Sequence, residues 1–233
     1  MFEDNKKKIE ALYDNRFSYE EIEKKEKIWK ILCKHFFQKY IHPNDVVIDI
    51  GTGFCEFINN IECKKKIGLD INPATKSFAN SDVEIINESA DDITSVSSDT
   101  IDVAFVSNFF EHLPSKEILS KSLEEIHRIL KTGGKVCILQ PNIAVLNGKY
   151  WDFYDHNIPL SHKSMAEALL LSGFRITEIK AKFLPYTTKS KLPSTPFLVR
   201  LYLLCPIFHN ILGGQAWVVA EKLDQKEDEQ TRF

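Results

Sequence analysis

The 233-residue chain has no excess of basic charge and no apolar leader at its N-terminus. It also has no uninterrupted hydrophobic run long enough to span a bilayer, which takes about 20 residues. A net charge of −3 leaves no electrostatic footprint for nucleic acid. The five cysteines, at 33, 55, 63, 137 and 205, have no paired metal-ligand spacing. They read as reduced thiols of a cytoplasmic protein, with no metal expected. Met-Phe-Glu-Asp-Asn-Lys at the start does not read as a signal peptide. No internal repeat is visible. What remains is an ordinary soluble composition, 43% hydrophobic and 27% charged, sized for one α/β domain with modest additions.

Within that composition, Val46 to Gly53 organises the rest. Val46-Val47-Ile48-Asp49-Ile50 reads as a strand buried on both faces, and Gly51-Thr52-Gly53 turns the backbone where a ligand can approach. The apolar spacing from Phe54 to Ile61 predicts a helix. A second strand over 66–70 ends in Asp70, about twenty residues on, where a carboxylate can take two ribose hydroxyls. A dinucleotide or S-adenosylmethionine (SAM) would suit this opening. Position 56 decides between them: a dinucleotide fingerprint wants a small residue, and the chain has Glu56. A carboxylate at a helix start would repel a pyrophosphate, whereas SAM carries a sulfonium and an ammonium.

Asp49-x-Gly51-x-Gly53 resembles the first motif of class I SAM-dependent methyltransferases, with Cys55 in place of the usual third glycine. Three further stretches continue the resemblance. Ala90-Asp91, after a third strand at 83–86, is similar to the pair that meets the adenine, with Asp92 the rival acid and a helix-capping aspartate the alternative reading. Asn108 to Leu113, after a fourth strand at 101–106, is similar to the motif near the methionine end, commonly Glu-His-Leu. Arg128-Ile-Leu-Lys-x-Gly-Gly is similar to the turn before the fifth strand, its glycines read as a helix C-cap. The resemblance covers residues 45–180. It implies a doubly wound, mostly parallel seven-stranded sheet with an antiparallel last strand, using SAM and releasing S-adenosylhomocysteine. It also implies cofactor contacts at Asp49, Gly51, Thr52, Gly53, Asp70, Ile71, Ala90, Asp91 and Asn108.

Three segments lie outside those motifs. Residues 1–44 read as a helical extension, either a helix packed on the sheet edge or a lid in which Tyr13, Arg16 and Phe17 cover the cofactor. Residues 183–214 read as an insertion between the last two strands. Its apolar stretch 197–212 fits a packed helix, a homodimer surface or a peripheral membrane contact, but no transmembrane span. Residues 222–233 read as a disordered charged tail, which leaves 45–221 as the domain.

The loop after the fifth strand carries Tyr150-Trp151-Asp152-Phe153-Tyr154-Asp155-His156. Aromatics interleaved with polar groups suit an acceptor wall, with Tyr150, Trp151 and Tyr154 on the substrate. The alternative is an aromatic staple. This loop and Phe183-Leu-Pro-Tyr resemble a bacterial subgroup associated with surface-sugar and polysaccharide biosynthesis, which implies a sugar, nucleotide-linked sugar or glycan acceptor. His112 and His156 are the candidate bases, and Asp155 could orient His156 or bind a metal with Asp152, a spacing too generic to claim a metal. A methyltransferase for another small-molecule or protein acceptor, and a non-catalytic SAM-binding partner subunit, are the rival readings.

Overall fold

The computed structural model describes residues 19–186 and 195–223. Tyr13, Arg16 and Phe17, expected in a lid, lie outside the described residues, as does the tail from 224 on. Seven strands form one sheet in the order β3-β2-β1-β4-β5-β7-β6. They are β1 (Val46–Ile50), β2 (Lys65–Leu69), β3 (Val83–Ile86), β4 (Ile101–Ser107), β5 (Leu130–Pro141), β6 (Phe174–Lys180) and β7 (Gln215–Lys222). The first five run parallel, and β7 runs antiparallel to both β5 and β6. The doubly wound sheet with an antiparallel last strand is therefore as the sequence implies.

Strand order reverses between β1 and β4, and ligands of open α/β sheets bind beyond the strand ends at such a switch. The sequence fills both faces, as a sheet covered on two sides requires. Ile48, Ile50, Ala104, Val106 and Ile138 enter one core, under α2 (Lys116–Ile129). Val47, Val103, Phe105, Leu139 and Trp217 enter the other. Over that second face lies α1 (Tyr19–His35), followed by a 3-10 turn at Phe37–Tyr40. Trp29, Leu32, Phe36 and Phe37 are buried there, and Phe37 meets Phe105 edge-on with centroids 5.1 Å apart. The helix expected at the sheet edge thus covers the sheet's centre. Each such ring contributes about 1.5–3 kcal/mol by burial.

Two local expectations are corrected. The helix expected over 54–61 is a single 3-10 turn, Ile58–Asn60. Gly53 and Cys55 both take positive φ, 51° and 61°, which a right-handed helix cannot run through. Asn59 and Asn60 then bond backbone carbonyls of Phe78 and Glu56 through their side chains, and Ile61 leaves extended. The Gly133-Gly134 pair is also not a C-cap. α2 ends at Ile129 with Leu130 as its cap, and β5 starts at once. Gly133 (φ +77°) sits in the strand where the β4–β5 register shifts, and a Cβ on Gly134 would lie 2.8 Å from the Lys131 carbonyl oxygen.

Beyond β5 the chain forms α3 (Ile143–Leu146), a 3-10 segment to Asp152, and α4 (His162–Leu171), whose N-cap Ser161 closes a capping box with Ser164. The apolar stretch between β6 and β7 is two helices, α5 (Pro196–Leu204) and α6 (Pro206–Leu212), divided at Pro206. Pro141 pairs with Gln215, so this insertion stands at the same end of the sheet as the loops after β1 and β4.

Candidate cofactor and acceptor site

The glycine loop is held from below. Asp49 is 3% exposed and accepts from the Thr52 hydroxyl at 2.7 Å. Burial lifts its carboxyl from 3.8 to about 8, only partly countered by the Thr52 bond. Asp49 thus braces the loop from inside. The sign of the linkage is the reverse of a salt-bridged aspartate: the folded state keeps a proton that the unfolded chain loses above 3.8. Stability therefore falls as pH rises from there through about 8. Asp49→Asn should remove that decline in urea unfolding followed across this range.

Asp70, expected to take the ribose, lies just past β2 and beside the glycine loop. Its Oδ2 accepts from Gly53 N–H and its Oδ1 from Asn72 N–H, both at 2.8 Å. Each oxygen keeps a second lone pair for a hydroxyl. Burial raises its carboxyl, against those two amide bonds. Beside it Ile71 is 53% exposed, an apolar surface offered to solvent where an adenine could lie. Ala90 is buried and Asp91 half-buried on the neighbouring loop, where the Ser89 hydroxyl bonds the Asp91 carboxylate. Gly51, at φ +69°, has its open side against protein: a Cβ there would lie 2.3 Å from the Phe109 ring. Asn108, next to that ring, is half-buried and takes φ +49°.

Glu56, read as facing the ligand at a helix start, instead pairs with Lys25 of α1 at 2.6 Å. With no helix there, the repulsion argument against a dinucleotide loses its basis.

The second half of the site joins β4 to the 141–159 loop. Asn157 and Ile158 N–H groups both donate to the Glu111 carbonyl, at 2.7 and 3.2 Å. His112 Nδ1 lies 3.2 Å from both a carboxylate oxygen and the carbonyl of Asp155. In the neutral ring that donates Nδ1–H there, Nε2 carries the lone pair. Burial depresses the His112 imidazole, but the Asp155 bond and the charges of Glu111 and Asp155 outweigh it and hold it above the usual range. Asp155, expected beside its neighbour His156, thus partners His112. His156 is buried, stacked on Phe153 at 5.2 Å, with the His112 ring 5.0 Å away.

The loop's aromatics divide. Tyr150 is wholly buried and donates its hydroxyl to the Ile158 carbonyl. Trp151 is 53% exposed and Tyr154 98%. Tyr150→Phe should therefore lower the melting temperature while leaving SAM affinity unchanged; an unchanged melting temperature would remove Tyr150 from the staple.

Sequence reasoning missed Glu111, Phe109 and Tyr186. Glu111 is 2% exposed, its Oε2 without a hydrogen-bond partner among the described residues, and burial raises its carboxyl. Ligand atoms of Glu111, His112 and His156 lie within 4.8 Å of one another, a set that could take a divalent cation. Tyr186, from the insertion, meets Phe153 edge-on at 5.6 Å. Only the Glu-His-Leu motif could have signalled Glu111; nothing in the sequence ties 186 to 153.

Residues 48–138 match the model of a family described as a methyltransferase domain. Over that stretch the chain resembles a methyltransferase domain. Its fold agrees with that of a SAM-dependent methyltransferase from Archaeoglobus fulgidus, at 23% identity and TM-score 0.63, covering 84% of this chain and 94% of that one. It is also similar to a chain solved in the "complex between the Haloferax volcanii Trm112 methyltransferase activator and the putative methyltransferase", at 17% identity and TM-score 0.59, covering 85% and 98%. A SAM-dependent methyltransferase from Methanosarcina mazei matches at 16% identity and TM-score 0.60, covering 80% and 96%. No curated protein matches the chain. The methyltransferase fold implies SAM, and the spare lone pairs of Asp70 with the exposed face of Ile71 fit it. Among the described residues, no helix is long and apolar enough to cross a membrane.

Proposed function

We propose that this methyltransferase moves the methyl group of SAM to a hydroxyl of a sugar, nucleotide-linked sugar or glycan. The observation that carries the reading is the His112–Asp155 pair at the end of β4, next to a loop that exposes Trp151 and Tyr154. Exposed aromatic faces beside an acid–base pair suit a sugar ring, whose C–H faces stack on aromatics while its hydroxyls seek hydrogen bonds.

Bound SAM would supply an electrophilic methyl on a sulfonium. Asp70 would hold the ribose, Ile71 and Ala90 the adenine, and Asn108 would stand near the methionine end. Alignment of the acceptor behind the methyl can lower the barrier by about 7–11 kcal/mol in favourable cases. A hydroxyl also needs to lose its proton, and His112 Nε2, oriented by Asp155, is the group to take it. His156 serves as part of the wall between Phe153 and the His112 ring.

The test is S-adenosylhomocysteine release with panels of nucleotide sugars, free glycans and small amines. Turnover confined to the sugars supports the reading. Turnover confined to amines, or none with any acceptor despite SAM binding, rejects it.

A further inference from the structure

Helices α5 and α6 present an apolar surface outward. Val199, Tyr202 and Leu203 turn α5 toward the core, and buried His209 does the same for α6. Their other faces carry Phe197, Leu204, Ile207 and Ile211, each between 65% and 72% exposed. An exposed apolar patch of this kind marks a docking surface.

Charge indicates the occupant. The described residues of this segment, 179–186 and 195–220, contain no aspartate or glutamate, yet carry Lys180, Lys182 and Arg200, in a chain whose net charge is −3. Lys180 answers to Glu178, while Lys182 and Arg200 are exposed. The neighbouring α1, which packs against α5, exposes Lys27, Lys30 and Lys34 at helical spacings of three and four. We propose that this face docks on an anionic lipid bilayer, with α5 and α6 lying in the plane of the interface.

The lengths agree. Nine residues of α5 make about 14 Å of helix, half a hydrocarbon core, so the pair can lie on a membrane but not cross it. Apolar side chains would enter the acyl boundary while the cations meet headgroup phosphates. A second copy suits the face less well. A two-fold contact would set this acid-free, cationic segment against itself. The inference does not depend on the sugar acceptor or on methyl transfer. Tyr186, at the start of the same insertion, contacts Phe153 of the acceptor loop, so docking would bring that loop close to the bilayer.

The experiment is flotation of the full chain with vesicles of phosphatidylcholine alone and of phosphatidylcholine with phosphatidylglycerol. Binding is expected only to the anionic vesicles and should weaken as salt is raised. Two double variants, Phe197→Asp with Leu204→Asp and Ile207→Asp with Ile211→Asp, should each lower partitioning at least about tenfold. Both alter exposed positions, so melting temperature should hold. Three results would overturn the proposal: no flotation with either vesicle, flotation that neither variant changes, or a dimer in light scattering that the variants dissolve without any vesicle binding.

Discussion

Asp70→Ala is expected to weaken SAM binding at least about tenfold in calorimetry on the folded variant. A hydrogen bond to a charged group contributes roughly 1.5–3 kcal/mol, and 1.4 kcal/mol is a factor of ten. The same carboxylate also fastens the glycine loop through Gly53 N–H, so loss of affinity alone would not isolate the ribose contact. An S-adenosylhomocysteine analogue lacking the ribose 2′-hydroxyl separates the two. The wild type should bind it more weakly than the parent compound, while Asp70→Ala should bind both alike. If the variant still discriminates between them, Asp70 holds the loop and some other group holds the ribose. Because burial raises this carboxyl, affinity should also begin to fall with acidification at a pH above the ordinary aspartate range.

His112→Ala is expected to lower kcat about 10²–10⁴-fold, the usual contribution of a positioned base, with SAM affinity unchanged. The pH profile carries more information than the loss. A base acts when unprotonated, so kcat should rise with pH along a limb set by His112, above the ordinary imidazole value. Asp155→Asn removes the main group that holds it there and should move the limb to lower pH. In stability the same shift has the opposite sense. The His112–Asp155 pair stabilises the fold fully below the unfolded imidazole value, and that contribution is lost as pH rises through the folded one. A limb that does not move in Asp155→Asn would leave His112 as a structural ring.

The strands were legible because burial on both faces leaves an unambiguous mark: Val46–Ile50 and Ile101–Ser107 are near-continuous apolar runs. The helix at 54–61 misled because its apolar residues are indeed buried, Phe57, Ile58 and Ile61 among them. They reach the core from a loop whose left-handed turn at Cys55 periodicity cannot register. Gly133-Gly134 misled for a related reason, since a glycine pair after a helix serves a bulged strand as readily as a cap. In the site, the place of Asp70 beside the glycine loop was legible from spacing because it is local to one strand–turn–strand unit. The partner of His112 could not. Asp155 lies 43 positions away, and its nearer neighbour His156 turns into an aromatic stack instead. Tyr150 and Tyr154, four apart in one motif, divide into a buried staple and an exposed face, which composition alone cannot do.

Titration of the full chain with SAM by calorimetry, repeated with S-adenosylhomocysteine in competition, tests the central claim most directly. One SAM per chain is predicted, with a dissociation constant in the range of about 1 μM–1 mM common for enzyme substrates. S-adenosylhomocysteine should displace it, and Asp70→Ala should weaken both ligands together. Absence of binding heat, together with a melting temperature that does not move at millimolar SAM, would contradict the account.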